Sequence, residues 1–300
     1  MTGSRRPRPT TGVPSVVIVG PGRAGGSLAT SLVAAGVSIP ALATRDGLRH
    51  PVADELGLAT CTPGDALGLA EVVVLAVPDD AISGLARGLA GRLTRRTEPT
   101  GAADQPGRES RPLVAHLSGA LGLAPLRPLA VAGLATAAWH VLQAFPSPDT
   151  GVRAGVVHAV TTEVPAARAS LARLVAALDG RLLDLADADR ARYHAAAVIA
   201  ANGTAGVMVA ASRLLEACGL SSSETLAALD PLVDSAREAV VRAGIPGGLT
   251  GPWVRGDRGT VERHRAALAG QADVLALYDA LARVVGQVAL PPSPESSPDA

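Results

Sequence analysis

Hydrophobic positions in this chain change period twice. Val16-Val17-Ile18-Val19 is an unbroken apolar run ending at Gly20, the pattern of a strand buried on both faces. Leu28, Leu32 and Val33 then recur at helical spacing. Ser38–Thr44 predicts a second strand, and Glu71–Val77 a third, stopped by Pro78. Asp79 and Asp80 predict a capped helix through Gly88. Leu113–Leu117, Leu134–Trp139 and Val156–Thr161 read as further strands. Strands alternating with helices at this spacing imply an α/β fold with a doubly wound, Rossmann-type parallel sheet. From Pro165 the pattern turns helical: Pro165–Leu178, Asp187–Cys218 closed by Gly219, Ser222–Ala243, Thr260–Ala269 and Ala272–Val288. These segments predict an all-α C-terminal domain. The expected division is a tail over 1–13, a dinucleotide-binding domain over 14–160, a helical substrate and dimerisation domain over 161–288 and a tail over 289–300. Arg95–Arg111, polar and rich in Gly, Pro and Thr, reads as a surface insertion.

Composition narrows the chemistry. The 300 residues carry 27 basic and 27 acidic side chains, and a zero net charge calls for neither nucleic acid nor an anionic membrane. Cys61 and Cys218 match no disulfide or metal pattern, so no metal is expected and a reducing, cytoplasmic setting is. No apolar export segment follows the basic start. The sequence contains no lysine, which removes lysine as proton donor or Schiff-base amine. Ala195–Ser212 is the longest uncharged stretch, but its Asn202, Thr204 and small residues favour a helix covered by protein, in a domain core or a homodimer, over a membrane span.

Gly20-Pro21-Gly22-Arg23-Ala24-Gly25 is a G-x-G-x-x-G turn between a buried strand and a helix. One glycine makes the turn, one admits pyrophosphate and one lets the helix pack on the strand. The helix N-terminus supplies unpaired N–H groups for the phosphates. At the end of the second strand, where NAD sites place an acidic residue, stand Thr44 and Arg45; a hydroxyl and a guanidinium suit the 2′-phosphate of NADP. Asp46 follows and leaves NAD possible. Val77-Pro78 and Ser118-Gly119 end neighbouring strands and are expected to border the cofactor.

Further segments carry a resemblance. These are His116–Ala120, Trp139–Phe145, Tyr193–Ala197, Leu249-Thr250-Gly251-Pro252, Arg255-Gly256-Asp257, Thr260-Val261 and His264. With the glycine turn they resemble the predicted oxidoreductases that join a Rossmann-like domain to a C-terminal domain of unknown function, relatives of ketopantoate, 6-phosphogluconate and pyrroline-5-carboxylate reductases and dehydrogenases. The resemblance spans about residues 14–288. It implies an NAD(P)-dependent oxidoreductase and, through one proposed member, ketopantoate reduction for pantothenate synthesis. The sequence departs at His140-Val141, where proline usually follows the histidine, and in lacking the long-helix lysine, near which it has Tyr193-His194.

Without lysine, the candidate proton donors are His116, His140, His194, His264, Tyr193 and Tyr278, with His158 and His50 behind them. His194 is expected to act as proton donor. Asn202 lies about 80° round an ideal helix from it, placed to hold a substrate carboxylate or to bridge helices. Arg255 is a carboxylate clamp or a loop partner of Asp257; Asp257 orients His264 or caps the helix near Thr260. The expected active site lies between the domains and takes a small carboxylate-bearing substrate. Three readings follow: an NADP-dependent 2-keto-acid reductase with a ketopantoate-like substrate, a pyrroline-carboxylate-type imine reductase, and a non-catalytic dinucleotide sensor.

Overall fold

The computed structural model describes residues 12–96 and 111–289. The expected tails lie almost wholly outside these residues, and so does most of the expected insertion at Arg95–Arg111. Eight strands form one sheet: β1 Val16–Val19, β2 Ala41–Ala43, β3 Ala59–Cys61, β4 Val72–Leu75, β5 Leu113–His116, β6 Thr136–Val141, β7 Val157–Thr161 and β8 Arg181–Asp184. Their order is β3-β2-β1-β4-β5-β6-β7-β8. The Val-rich strands β1 and β4 are buried along their whole length, as strands covered on both faces must be.

Helices α1 Arg23–Ala34, α2 Pro51–Leu56, α3 Pro63–Ala66, α4 Asp79–Arg96, α5 Arg127–Val131 and α6 Pro165–Ala177 pack on the sheet. One core cluster joins Ile18, Leu28, Leu32, Val74 and Trp139 to Leu171 and Leu174 of α6. The other joins Val17, Val73 and Leu75 to Ile82, Leu89 and Leu129. β1 lies between β2 and β4, so the chain reverses its winding there, and the crevice at the carboxyl ends of these strands is the ligand-binding position of such sheets.

The sheet is parallel as expected except at one pair: β6 and β7 run antiparallel, pairing His140 with Ala159. No helix occupies 142–156, so the chain returns along the sheet without the crossover that a parallel pair needs. The compact units divide later than the expected 160/161 boundary. The first compact unit runs to Ala201 and the second begins at Asn202, because α6 contributes to the sheet core and β8 extends the sheet.

The first unit ends with α7 Arg190–Val198 and the first three residues of a π-type segment, Ile199–Gly203. The second unit contains α8 Thr204–Ala217, α9 Ser222–Ala243, α10 Pro252–Arg255, α11 Arg258–Ala267 and α12 Ala272–Ala289. A reciprocal Ser221–Glu224 capping box starts α9. Gly219 closes the helical run with φ of 100°. Buried apolar residues are few here: Leu229, Leu268 and Val274 among the described residues.

Candidate active site

The glycine turn has the shape a dinucleotide needs. Gly20 has φ of 88°, and a Cβ there would lie 2.8 Å from the Ala76 carbonyl oxygen. A Cβ on Gly25 would lie 2.3 Å from the Gly20 carbonyl oxygen, so helix and strand touch only because both residues are glycine. Gly22 differs: nothing lies within 4 Å of its Cβ position. It caps α1 with no side-chain hydrogen bond and no acidic residue in the first turn, leaving the helix N–H groups open to an anion. Arg23 and the half-buried Ala24 begin that helix.

A cavity of about 290 Å³ opens beside the turn, lined by Gly20, Pro21 and Gly22 on one side and Ala76, Val77 and Pro78 on the other. Thr44, Arg45 and His50 complete its wall. The Thr44 hydroxyl donates to the Leu48 carbonyl at 3.0 Å, and Asp46 accepts from the Leu48 N–H at 3.1 Å, so both shape their own loop. Arg45 is exposed and makes no hydrogen bond or ion pair among the described residues, which leaves its guanidinium for a phosphate. His50, placed behind the other histidines in sequence, caps α2 with Nδ1 accepting from the Val52 N–H and faces this cavity. Arg45→Ala is expected to weaken NADPH by about 10- to 100-fold and leave NADH unchanged, as fluorescence titration would read.

Further along the same sheet edge, β5 and β6 bring the chemistry together. His116 is fully buried; its Nε2 bonds the Gly122 carbonyl at 2.8 Å and its Nδ1 accepts from the Ser118 N–H at 3.2 Å. With both nitrogens engaged and its pKa lowered mainly by burial, His116 folds the loop and is not a proton donor. Ser118 donates to Asp79 at 2.8 Å and accepts from the Leu121 N–H. That loop presents Gly119. A Cβ there would collide with His194 Nδ1 and lie 2.9 Å from His140 Nε2, so only glycine lets the loop pack directly against the two imidazoles.

His140 ends β6 and shares a hydrogen bond of 2.8 Å between Nδ1 and the Tyr193 hydroxyl. Burial, then the nearby His194 and Arg190 charges, push its pKa down to about 4. Burial pushes Tyr193 up to about 12. Neither is an acid near neutrality. His194 stands edge-on to His140, with ring centroids 5.8 Å apart, and its buried Nδ1 has no hydrogen-bond partner among the described residues. A buried imidazole nitrogen without a partner is exceptional, since such groups are nearly always hydrogen-bonded.

His158, another buried imidazole, accepts from the Trp139 indole N–H at 3.0 Å and is pushed down to about 4 by burial. Its bond is structural, so it leaves the donor set. In the window between pH about 4 and the ordinary 6.5, the unfolded chain protonates His140 and His158 while the folded chain does not. Stability is therefore expected to fall as pH drops through that window, by on the order of 3 kcal/mol per ring, in melting curves taken between pH 7 and pH 4.

The second unit holds the other expected residues. Asp257 caps α11, accepting from the Thr260 N–H at 3.0 Å and the Thr260 hydroxyl at 2.8 Å, so it does not orient His264. His264 pairs instead with the Tyr278 hydroxyl. Arg255 ends α10, exposed and outside salt-bridge distance of Asp257. Asn202 lies exposed in the π-type segment, with no side-chain hydrogen bond among the described residues. The 100° step assumed for an α-helix does not carry through such a segment.

A glycine turn at a winding reversal, an open helix N-terminus and an unclaimed arginine define a dinucleotide-binding oxidoreductase fold with a preference for NADP. Residues 15–97 match the family described as NADP oxidoreductase, coenzyme F420-dependent, and residues 156–285 match a domain of unknown function, DUF2520. The chain joins an NADP oxidoreductase segment to a DUF2520 segment and is an NADP-dependent oxidoreductase, which sets the sensor reading aside. The second family segment begins well before the second compact unit.

No curated protein sequence matches significantly. Solved structures share the fold. A Bacteroides fragilis protein described as an NADP oxidoreductase is 21% identical at a TM-score of 0.70, covering 91% of this chain and 98% of its own. Plasmodium falciparum pyrroline carboxylate reductase with NADP bound is 11% identical at 0.61, covering 92% and 98%. An Aspergillus terreus reductive aminase with NADPH and ethyl-5-oxohexanoate is 18% identical at 0.58, covering 91% and 93%. These relatives include no ketopantoate reductase, so the ketopantoate and pantothenate expectation finds no support in them.

Proposed function

We propose that this enzyme reduces the C=N bond of a small cyclic imine of the pyrroline-carboxylate type, with His194 as proton donor. The observation that carries the reading is the buried, unpartnered His194 Nδ1 edge-on to His140 at the sheet edge. When bound, NADPH supplies the hydride. The chain's own part is to bring the C=N bond to the His140–His194 pair and to pass a proton from His194 to its nitrogen. The His140 ring stays neutral, and the Tyr193 hydroxyl holds it in place. An imine nitrogen is close to imidazole in basicity, whereas a ketone oxygen is a far weaker base; proton transfer from histidine is nearly balanced only for the first. In a chain without lysine that difference favours the imine over the keto acid. The structural relatives acting on imines and pyrroline carboxylates support the same choice. NADPH oxidation with 1-pyrroline-5-carboxylate, 1-pyrroline and a panel of 2-keto acids tests it: turnover confined to keto acids would overturn the imine assignment.

The working unit in this reading is a homodimer in a reducing, cytoplasmic setting, where Cys61 and Cys218 stay free thiols. The helical run Asp187–Ala217 is long and apolar enough to cross a membrane by length and composition, and none of its most apolar stretch is buried in the single chain. Ile199 is 72% exposed, and Leu232, Val241 and Val284 are also exposed on the helices that follow. Asn202, Thr204 and Ser212 interrupt the apolar surface, which suits a protein partner better than lipid. With so few buried apolar residues in the second unit, a second copy supplies the missing cover. Light scattering at micromolar concentration is expected to give a dimer; a monomer there refutes this part.

A further inference from the structure

Arg190 is the first residue of α7, with Tyr193 and His194 three and four positions on, so the three share one helix face. It has no exposed surface. One terminal nitrogen donates to the Thr161 hydroxyl at 2.9 Å and the other to the Ser118 carbonyl at 2.8 Å. Both partners are neutral, and its Nε has no partner among the described residues. No carboxylate among the described residues reaches salt-bridge distance of it. Exposed arginines in the same chain do find carboxylates: Arg49 with Asp54, Arg168 with Asp184 and Arg213 with Asp273. The charged and titratable groups that act on Arg190 are Tyr193 and Asp187, and its own charge acts on His140 and His116. Asp187 is engaged by the Leu123 N–H at 2.8 Å and Asp79 by the Ser118 hydroxyl, so neither closes on the guanidinium.

A buried cation that no carboxylate touches is unfavourable, and one at salt-bridge distance would have cancelled more of it than Asp187 does from further away. Only partly offset in a water-poor setting, its field extends to a ligand beside the His140–His194 pair. A cationic iminium alone is repelled there. The same ring with a carboxylate is net neutral and brings the missing negative charge. We propose that Arg190 is the specificity-determining residue of this site: its charge, met by no carboxylate at salt-bridge distance and held by the Ser118 carbonyl, makes the site favour a substrate bearing a carboxylate beside the reducible bond over the same substrate without one. The inference rests on the reading above for where the substrate lies. It moves the carboxylate-selecting role expected of Arg255 to a residue that acts through its field, without touching the ligand.

The test uses the full chain loaded with NADP and two probes, pyrrolidine-2-carboxylate and pyrrolidine, titrated by calorimetry, with kcat/KM measured on 1-pyrroline-5-carboxylate and 1-pyrroline. The wild type is expected to prefer the carboxylated ring at least about tenfold. Arg190→Gln removes the charge and is expected to bring the ratio near one. Arg190→Lys keeps the charge but loses the two-pronged clamp; both rings weaken while the ratio holds within about threefold. Thr161→Val removes one clamp partner and should also keep the ratio. A folded Arg190→Gln protein with the wild-type ratio overturns the proposal. So does loss of the ratio in either charge-retaining variant, which decides the matter if Arg190→Gln does not fold. A wild type that binds neither ring, or both equally, also overturns it. If the binding ratio holds but neither imine is reduced, the reductase assignment falls and the role of Arg190 stands.

Discussion

Gly22→Val is expected to abolish binding of both NADPH and NADH while leaving the fold unchanged. Most glycine substitutions in this turn would fail for a less informative reason: Gly20 lies in the left-handed region and Gly25 presses against the Gly20 carbonyl, so side chains there disturb the protein itself. Gly22 has ordinary backbone angles, φ −74° and ψ −157°, and open space around its Cβ position. Valine there meets no protein atom within the distance of a Cβ contact; what it meets is the pyrophosphate approaching the N-terminus of α1. The expected loss is at least about a hundredfold in affinity, well over 2 kcal/mol, because excluding the phosphates removes every charge-assisted bond to the helix end. Fluorescence titration reads the binding, and circular dichroism with a melting curve reads the fold. Retained affinity would show that the turn is only a structural corner.

His194→Ala is expected to cut turnover by about two to four orders of magnitude, the range for losing a general acid, while NADPH affinity changes by less than about twofold. The separation of the two effects is what makes the experiment decisive. The cofactor cavity is walled by residues after β1, β2 and β4, and His194 is not among them. His140 cannot take over the task near neutral pH, since burial and the neighbouring charges hold it uncharged down to about pH 4. Tyr193, pushed up to about 12, is no better as an acid. Full turnover in His194→Ala would pass the proton-donor role to another residue and leave the imidazole as packing.

Much of the first unit was legible because its signals are local. The Val-rich runs at β1 and β4, the glycine turn between them and Thr44-Arg45 after β2 each lie within a few residues, and sterics at that range leave few alternatives. α6, α9 and α12 were equally readable from helical period and caps. Short β3 and β8 were missed, since three or four residues, half exposed, carry too little period to register. Arg190 was overlooked for a different reason. An arginine cannot give up a proton near neutral pH, and one ahead of Tyr193-His194 reads as a solvated helix end until its burial is known. Asp257 is the reverse case: the sequence offered both an orienting role and a helix cap, and the hydrogen bonds to Thr260 leave the cap.

By itself the sequence determined the buried strands, the dinucleotide turn, the lack of any lysine chemistry and the set of histidines from which a donor must come. Tertiary structure decided which of those histidines meet. His116 was turned inward to brace a loop, His158 was bound to Trp139, and His140 and His194 were set on either side of Gly119. It also reversed β7 against β6 and carried Arg190 to Ser118, a residue 72 positions away. The physical reason is the range of the interactions. Backbone sterics and side-chain period act between near neighbours in the chain, whereas burial, counter-charges and hydrogen-bond partners are set by residues far apart in sequence that only the packed sheet brings together.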